Sequence, residues 1–236
     1  MLPPDLFAAG VDFHGDLLRN IPGIRASQHL FDDLSADPDD WAIAVAAEGA
    51  ERIATDAALV SRPFDYGTAI SYSFEAAHWQ ATRWSDGTAY GVWYGAPELE
   101  TTVVETAWHW YRFVRDSYGE EDRDIVTDRR IFAARCDALL VDLRGREADH
   151  PGLIDRRSYA FTQQVGRYLH QQQANGLLAR SARCDGIVAA IFRAERLSKP
   201  RDRRFLTYRL NVARDSFAAE KTPGRKWLKF APSSLG

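Results

Sequence analysis

The chain has 236 residues, 45% of them hydrophobic, 27% charged and 12% aromatic, which is enough apolar material for a sizeable core in one large domain or two small ones. Lys and Arg total 30 and Asp and Glu 33, so the formal net charge is −3, a balance that argues against a nucleic-acid partner. No apolar run is long enough to cross a membrane, and MLPPDLFAAG lacks the basic-then-apolar pattern of a signal peptide. Cys136 and Cys184 stand apart from any metal spacing, and the composition fits a reducing, cytoplasmic setting.

Residues 1–39 carry short apolar clusters among Pro3, Pro4, Gly10, Gly15, Pro22 and Gly23, and read as short helices joined by turns. Asp32, Asp33, Asp37, Asp39 and Asp40 crowd together without the spacing, central Gly or closing Glu of an EF-hand. Asp39 or Asp40 is placed to cap a helix over 41–57, where Trp41, Ile43, Ala44, Ala47 and Ile53 recur roughly at helical spacing. Ile70, Tyr72 and Phe74 alternate with small residues and predict a strand, with a short helix over 74–82. A second strand is predicted at 89–95. Thr101 or Thr102 is placed to cap a helix with the stripe Val104, Trp108, Tyr111 and Val114, closed by Gly119.

Two strand-like pieces follow around Ile131–Ala133 and Ala138–Leu143, then a polar loop at 144–152. Ser158 can cap a helix bearing Phe161, Val165, Tyr168 and Leu169. Strands are expected within 174–186, at 187–192 and at 204–210. The end of the chain, from Ala218, is basic and bears Gly and Pro, with Trp227 and Phe230 as docking side chains. Strands and helices mix without a βαβ rhythm, which favours an α+β fold.

The standard catalytic signatures are absent: GxGxxG after a strand, GxxxxGK[ST], HExxH and GxSxG. His14, His29, His78, His109, His150 and His170 are scattered, so no metal site is expected. What stands out is RWSDGTAYGVWYGAPELETTVVE, residues 83–105. Arg83, before the turn Ser85-Asp86-Gly87, presents a planar fork suited to phosphate, or else a plain salt bridge. Trp93 and Tyr94 point to opposite faces of their strand. Glu105 falls in the first turn expected for its helix, where it either complements the dipole or faces a cleft. A carboxylate in a cleft can steady positive charge on a sugar carbon during glycosidic cleavage. Ser181, in a loop between apolar segments, can reach phosphate or ribose.

These residues resemble the RES domain family, named after an Arg, a Glu and a Ser. The resemblance rests on Arg83-Trp84, Gly87, Val92 to Tyr94 and Glu105, then on Ser181-Ala182-Arg183 followed by GIVAAIF, with Arg62 in SRPFDYG as the early arginine. It spans roughly residues 60–210. The resemblance implies an ADP-ribosyltransferase-like α+β fold, a twisted mixed sheet with a central cleft, here preceded by a mainly helical N-terminal segment. It divides the chain into an extension at 1–60 packed on the domain, a catalytic domain at 61–217 and a basic tail at 218–236.

It further implies a toxin-like enzyme that cleaves the nicotinamide–ribose bond of NAD with phosphate or water as acceptor, without metal. The alternatives are ADP-ribose transfer to a protein, and a non-catalytic domain that keeps the NAD pocket. By the resemblance Glu105 and Arg83 are catalytic, and Arg62, Arg83, Tyr94, Ser181 and Arg183 bind NAD. A separate antitoxin protein is the expected partner, and neither nucleic acid nor membrane is.

Overall fold

A computed structural model describes residues 2–23, 66–120 and 122–236 of the chain. Its centre is a long strand, β3 (Ile125–Asp142). One edge of β3 carries β1 (Gly10–Pro22), antiparallel from Gly10 opposite Val141 to Pro22 opposite Arg129. The other edge carries β6 (Leu197–Asn211), antiparallel, and then β4 (Gly176–Arg180), parallel at Val141 and Asp142. β4 pairs antiparallel with β5 (Ile187–Ile191), and β5 with the short β2 (Trp93–Gly95). A hairpin of β7 (Ser216–Thr222) and β8 (Arg225–Phe230) extends the sheet beyond β6. The α+β class and the mixed sheet expected from the sequence are both present.

Leu18 and Ala96 exchange both backbone hydrogen bonds, at 2.8 and 2.9 Å. That bridge returns β1 to the residue after β2, so the path β1-β3-β4-β5-β2 closes on itself. Leu17, Trp93, Phe132, Leu140, Leu178 and Ile191 form one core cluster, with Ile70 of the short helix α1 (Tyr66–Ser71) packed into it.

The long helix α2 (Leu99–Tyr118) buries the predicted stripe of Val104, Trp108, Tyr111 and Val114 against Ile131, Leu206, Leu210 and Phe217. It stops at Gly119, whose φ of +73° suits glycine and whose N–H donates to the Arg115 carbonyl. Beneath α2 lies a polar knot. Asn20 Nδ2 donates to the Tyr208 hydroxyl at 2.6 Å and to Thr106 Oγ1 at 3.0 Å, while Arg129 Nε donates to Asn20 Oδ1 at 2.9 Å. The third helix, α3 (Ala160–Gln171), buries Val165 and Leu169 among Leu143, Leu177 and Phe192. The residue that caps α3 is Tyr159, without a side-chain cap, rather than the expected Ser158, whose Oγ accepts the Ala160 N–H from one residue further back.

Several expectations are corrected. Residues 10–22 are a strand, not short helices: Val11, Phe13 and Leu17 turn inward while Asp12 and His14 stay exposed, and this alternation overrides the punctuation of Gly15. Residues 66–74 are α1 and a 3-10 turn rather than a strand, because Ile70 and Phe74 reach the core from a helical backbone. β2 keeps only residues 93–95 of the predicted 89–95. The two pieces within 124–143 are one strand. The basic tail from Ala218 is sheet: Phe217 stacks on Phe230 at 4.7 Å, and buried Glu220 accepts Arg209 Nε and the N–H of Gly224 in the hairpin turn. Trp227 and Phe230 dock on the chain's own core. The acidic patch, the predicted helix at 41–57 and Arg62 lie outside the described residues.

Gly166 of α3 lies flush on the chain around Trp84: a Cβ there would sit 2.0 Å from the Trp84 carbonyl oxygen. Overpacking of this kind costs about 1–3 kcal/mol. Alanine is the better helix former by about 1 kcal/mol, which offsets only part of that. Gly166→Ala is therefore expected to lower the urea midpoint. A midpoint that stays or rises would show that α3 does not pin the Trp84 loop.

Candidate active site

The loop that presents Arg83 is fixed from within. Trp84 is fully buried; its N–H donates to the Tyr94 hydroxyl at 3.0 Å and its carbonyl accepts the Tyr90 hydroxyl at 2.6 Å. Ser85 Oγ donates to the Tyr90 carbonyl and accepts the Gly87 N–H, closing the turn. Gly87 has φ +78°, and a Cβ on it would lie 2.5 Å from the carbonyl carbon of Gln80, so the turn needs glycine.

With the backbone so held, the half-buried Arg83 side chain lies over the Tyr159 ring, its Cζ 4.6 Å from the centroid. Nη1 donates to the Leu153 carbonyl at 3.3 Å. The rest of the fork has no protein partner among the described residues. Burial lowers the Arg83 pKa, against the raising influence of Tyr159, Glu105 and Tyr94, while Arg183 lowers it further. Glu105 is therefore close enough to act on the guanidinium.

Glu105 sits in the second turn of α2, because the helix begins at Leu99 rather than at the predicted Thr101 or Thr102. The dipole effect fades within the first turn, so helix-end complementation does not account for this carboxylate. Its neighbour is Ser181, 3% exposed, whose hydroxyl donates to Glu105 Oε1 at 2.5 Å. Ser181 Oγ in turn accepts the backbone N–H groups of Arg183 and Cys184 at 2.9 and 3.2 Å. The loop holding Ser181 is pressed onto the start of α2: a Cβ on Gly186 would lie 2.0 Å from Thr101 Oγ1.

Tyr94 and Trp93 leave β2 on opposite faces, as their alternation predicted; Trp93 enters the core and Tyr94 turns to the loop. The Tyr94 hydroxyl donates to Thr82 Oγ1 at 2.7 Å, and burial pushes its pKa up. Tyr94 thus secures the Arg83 loop with its hydroxyl.

Arg183 is buried and internally engaged. Nη1 donates to the Leu235 carbonyl, Nη2 donates to the Arg156 carbonyl at 2.9 Å, and the guanidinium lies 4.6 Å over Trp108. Those contacts tie the Ser181 loop to the last turn of the chain and leave less of this cation for a ligand.

Sequence reading passed over Arg19. It follows Leu18 on β1 with its guanidinium 5.3 Å over the Trp93 ring, and Nη1 is buried without a partner among the described residues. Burial pushes its pKa down to about 10, opposed by Tyr94. The signal was available: the alternation that turns Val11, Phe13 and Leu17 inward also turns Arg19 inward.

No group of three or more His, Cys, Asp or Glu able to hold a metal occurs among the described residues. Two open surface depressions, of about 650 and 350 Å³, involve none of Arg19, Arg83, Tyr94, Glu105, Ser181 and Arg183. The larger is lined by charges that pair with each other, Arg201 with Asp16 and Arg135 with Asp137.

A protein-family model described as the RES domain matches residues 51–211. No curated protein matches the chain. Among solved structures, a chain from the crystal structure of the M. tuberculosis MbcT-MbcA toxin-antitoxin complex is a distant likeness. It is 14% identical, with 86% of this chain and 88% of that chain covered and a TM-score of 0.45.

Ser181→Ala deletes the acceptor of two loop N–H groups as well as the donor to Glu105. Leaving buried polar groups unpaired costs about 1–3 kcal/mol, so that loss is expected in chemical denaturation. A fully stable variant would show that the loop keeps its shape without the hydroxyl.

Proposed function

The chain belongs to the RES domain family, and from that premise we propose that it cleaves the nicotinamide–ribose bond of NAD and passes the ADP-ribosyl group to phosphate or water. The observation that carries this reading is one carboxylate, Glu105, fixed by a buried serine beside a half-buried guanidinium with unused donors.

The two substrate charges call for these groups. Arg83 meets the anionic diphosphate with a rigid fork, in a setting of reduced solvent where a charge-assisted hydrogen bond is strong. Ser181 occupies one oxygen of Glu105 and so sets the plane of the carboxylate. The other oxygen is left to hold a ribose hydroxyl and to oppose positive charge on the anomeric carbon as nicotinamide departs. Tyr94 acts through the loop, keeping Arg83 in place. Arg19 adds a second buried cation next to Tyr94, and Arg62 and Arg183 are secondary candidates for the phosphates. In this reading the enzyme is toxin-like, and a separate antitoxin protein covers Arg83 and Glu105.

Purified protein is expected to release nicotinamide from NAD, with product mass distinguishing ADP-ribose from its phosphorylated form. Glu105→Gln preserves shape and removes the charge. Its turnover should fall by roughly 10²–10³, the usual cost of losing one electrostatic group at a developing charge. Unchanged turnover would reduce Glu105 to a structural side chain. Label that stays on protein would redirect the reading to protein ADP-ribosylation. Expression of the wild-type chain alone in bacteria should slow growth, and expression of Glu105→Gln should not.

A further inference from the structure

The edge of α2 that carries Glu105 repeats a polar side chain. Glu105, His109 and Arg112 stand at i, i+4 and i+7, which aligns them along one stripe. The stripe runs beside the buried one of Val104, Trp108 and Tyr111. His109 is exposed, so its imidazole reaches solvent from the polar edge of α2 rather than entering the core. The charged groups acting on it come from three parts of the fold. Glu105 and Arg112 share its helix, Arg83 comes from the loop before β2, and Arg183 from the loop after β4.

We propose that His109 is the base that takes the proton from a water molecule attacking the ribose carbon of NAD. This rests on the NAD reading above and assigns a proton which that reading leaves unplaced. The water oxygen forms the new bond to carbon as the carbon–nitrogen bond to nicotinamide breaks. The bonding pair leaves with nicotinamide, whose ring nitrogen loses its positive charge. The water proton passes to the imidazole and from there to solvent. Nothing is oxidised or reduced. The phosphate dianion attacks through an oxygen that carries no proton, so phosphorolysis does not need this base.

The surroundings suit the role. Partial desolvation lowers the His109 pKa below its ordinary 6.5, although the side chain reaches solvent; Glu105 opposes that shift, and Arg183, Arg112 and Arg83 reinforce it. The neutral imidazole, the form that accepts a proton, is therefore retained at neutral pH. Hydrolysis should fall only as pH drops through a value below 6.5, where the ring gains its proton and can no longer accept one.

The test compares nicotinamide release by the full chain, His109→Gln and His109→Ala, without and with saturating inorganic phosphate, between about pH 5 and pH 8. General-base catalysis contributes 10²–10⁴-fold, so both variants should lose roughly 10²-fold or more without phosphate, together with the acid limb. With phosphate they should stay near wild type, and added imidazole should restore hydrolysis by His109→Ala. Unfolding midpoints and NAD binding, both expected to match wild type, separate this role from a structural one. A His109→Gln protein that keeps the hydrolysis rate and its acid limb overturns the inference while the NAD reading stands. So does one that loses hydrolysis and phosphorolysis equally. A wild-type chain that releases no nicotinamide under any condition overturns the NAD reading and this inference with it.

Discussion

The hydrogen bonds from Asn20 to Thr106 and Tyr208 hold α2 against β1 and β6 at a fixed register. The apolar stripe of α2 supplies adhesion, but burial of hydrocarbon is non-directional and tolerates a slide or a small rotation. The polar knot does not, because a shift would strand Asn20, Thr106 and Tyr208 in a place largely shielded from water. Thr106 adjoins Glu105 and Asn20 adjoins Arg19, so the contact that sets the helix also sets the aim of the site's carboxylate. The loops of Arg83 and Ser181 are then built onto that frame by Trp84 and by the close approach of Gly186 to Thr101.

The arginines of this region share a mode of burial. Arg19 lies over Trp93, Arg83 over Tyr159, Arg129 over Tyr208 and Arg183 over Trp108. Among the described residues their hydrogen-bond acceptors are carbonyl, amide and hydroxyl oxygens rather than carboxylates. Aromatic faces and neutral oxygens stabilise a guanidinium without cancelling its charge. Positive potential is thus kept around Glu105, one oxygen of which is engaged by Ser181.

The middle of the chain was legible because local signals and tertiary packing agree there. The α2 stripe, the Gly119 stop and the apolar runs of β4 and β5 all carry strong periodicity or turn chemistry. The ends were not. In β1 the glycine and prolines suggested turns, and its alternation became decisive only through pairing with β3, more than a hundred residues away. Residues 66–74 form a short apolar run, for which helix and strand periods are hard to separate. Glu105 is legible by its letter and neighbourhood, but not its turn of the helix, since Thr101 or Thr102 offers a cap that the helix, starting at Leu99, does not use. Arg183 looked like a free cation because sequence cannot show the carbonyl oxygens of Leu235 and Arg156 that meet it.

Strand β8 ends the hydrogen-bonded order of the sheet and offers one row of backbone groups to the outside. Along it Arg225, Lys226 and Lys229 are exposed, while Trp227, Leu228 and Phe230 turn toward the core. A second molecule adding its own β8 edge to edge would bring these like charges together at strand spacing, a juxtaposition that disfavours growth of the sheet into an aggregate. The basic character of the chain's end then has a meaning separate from any ligand: it discourages the protein from polymerising through its last strand.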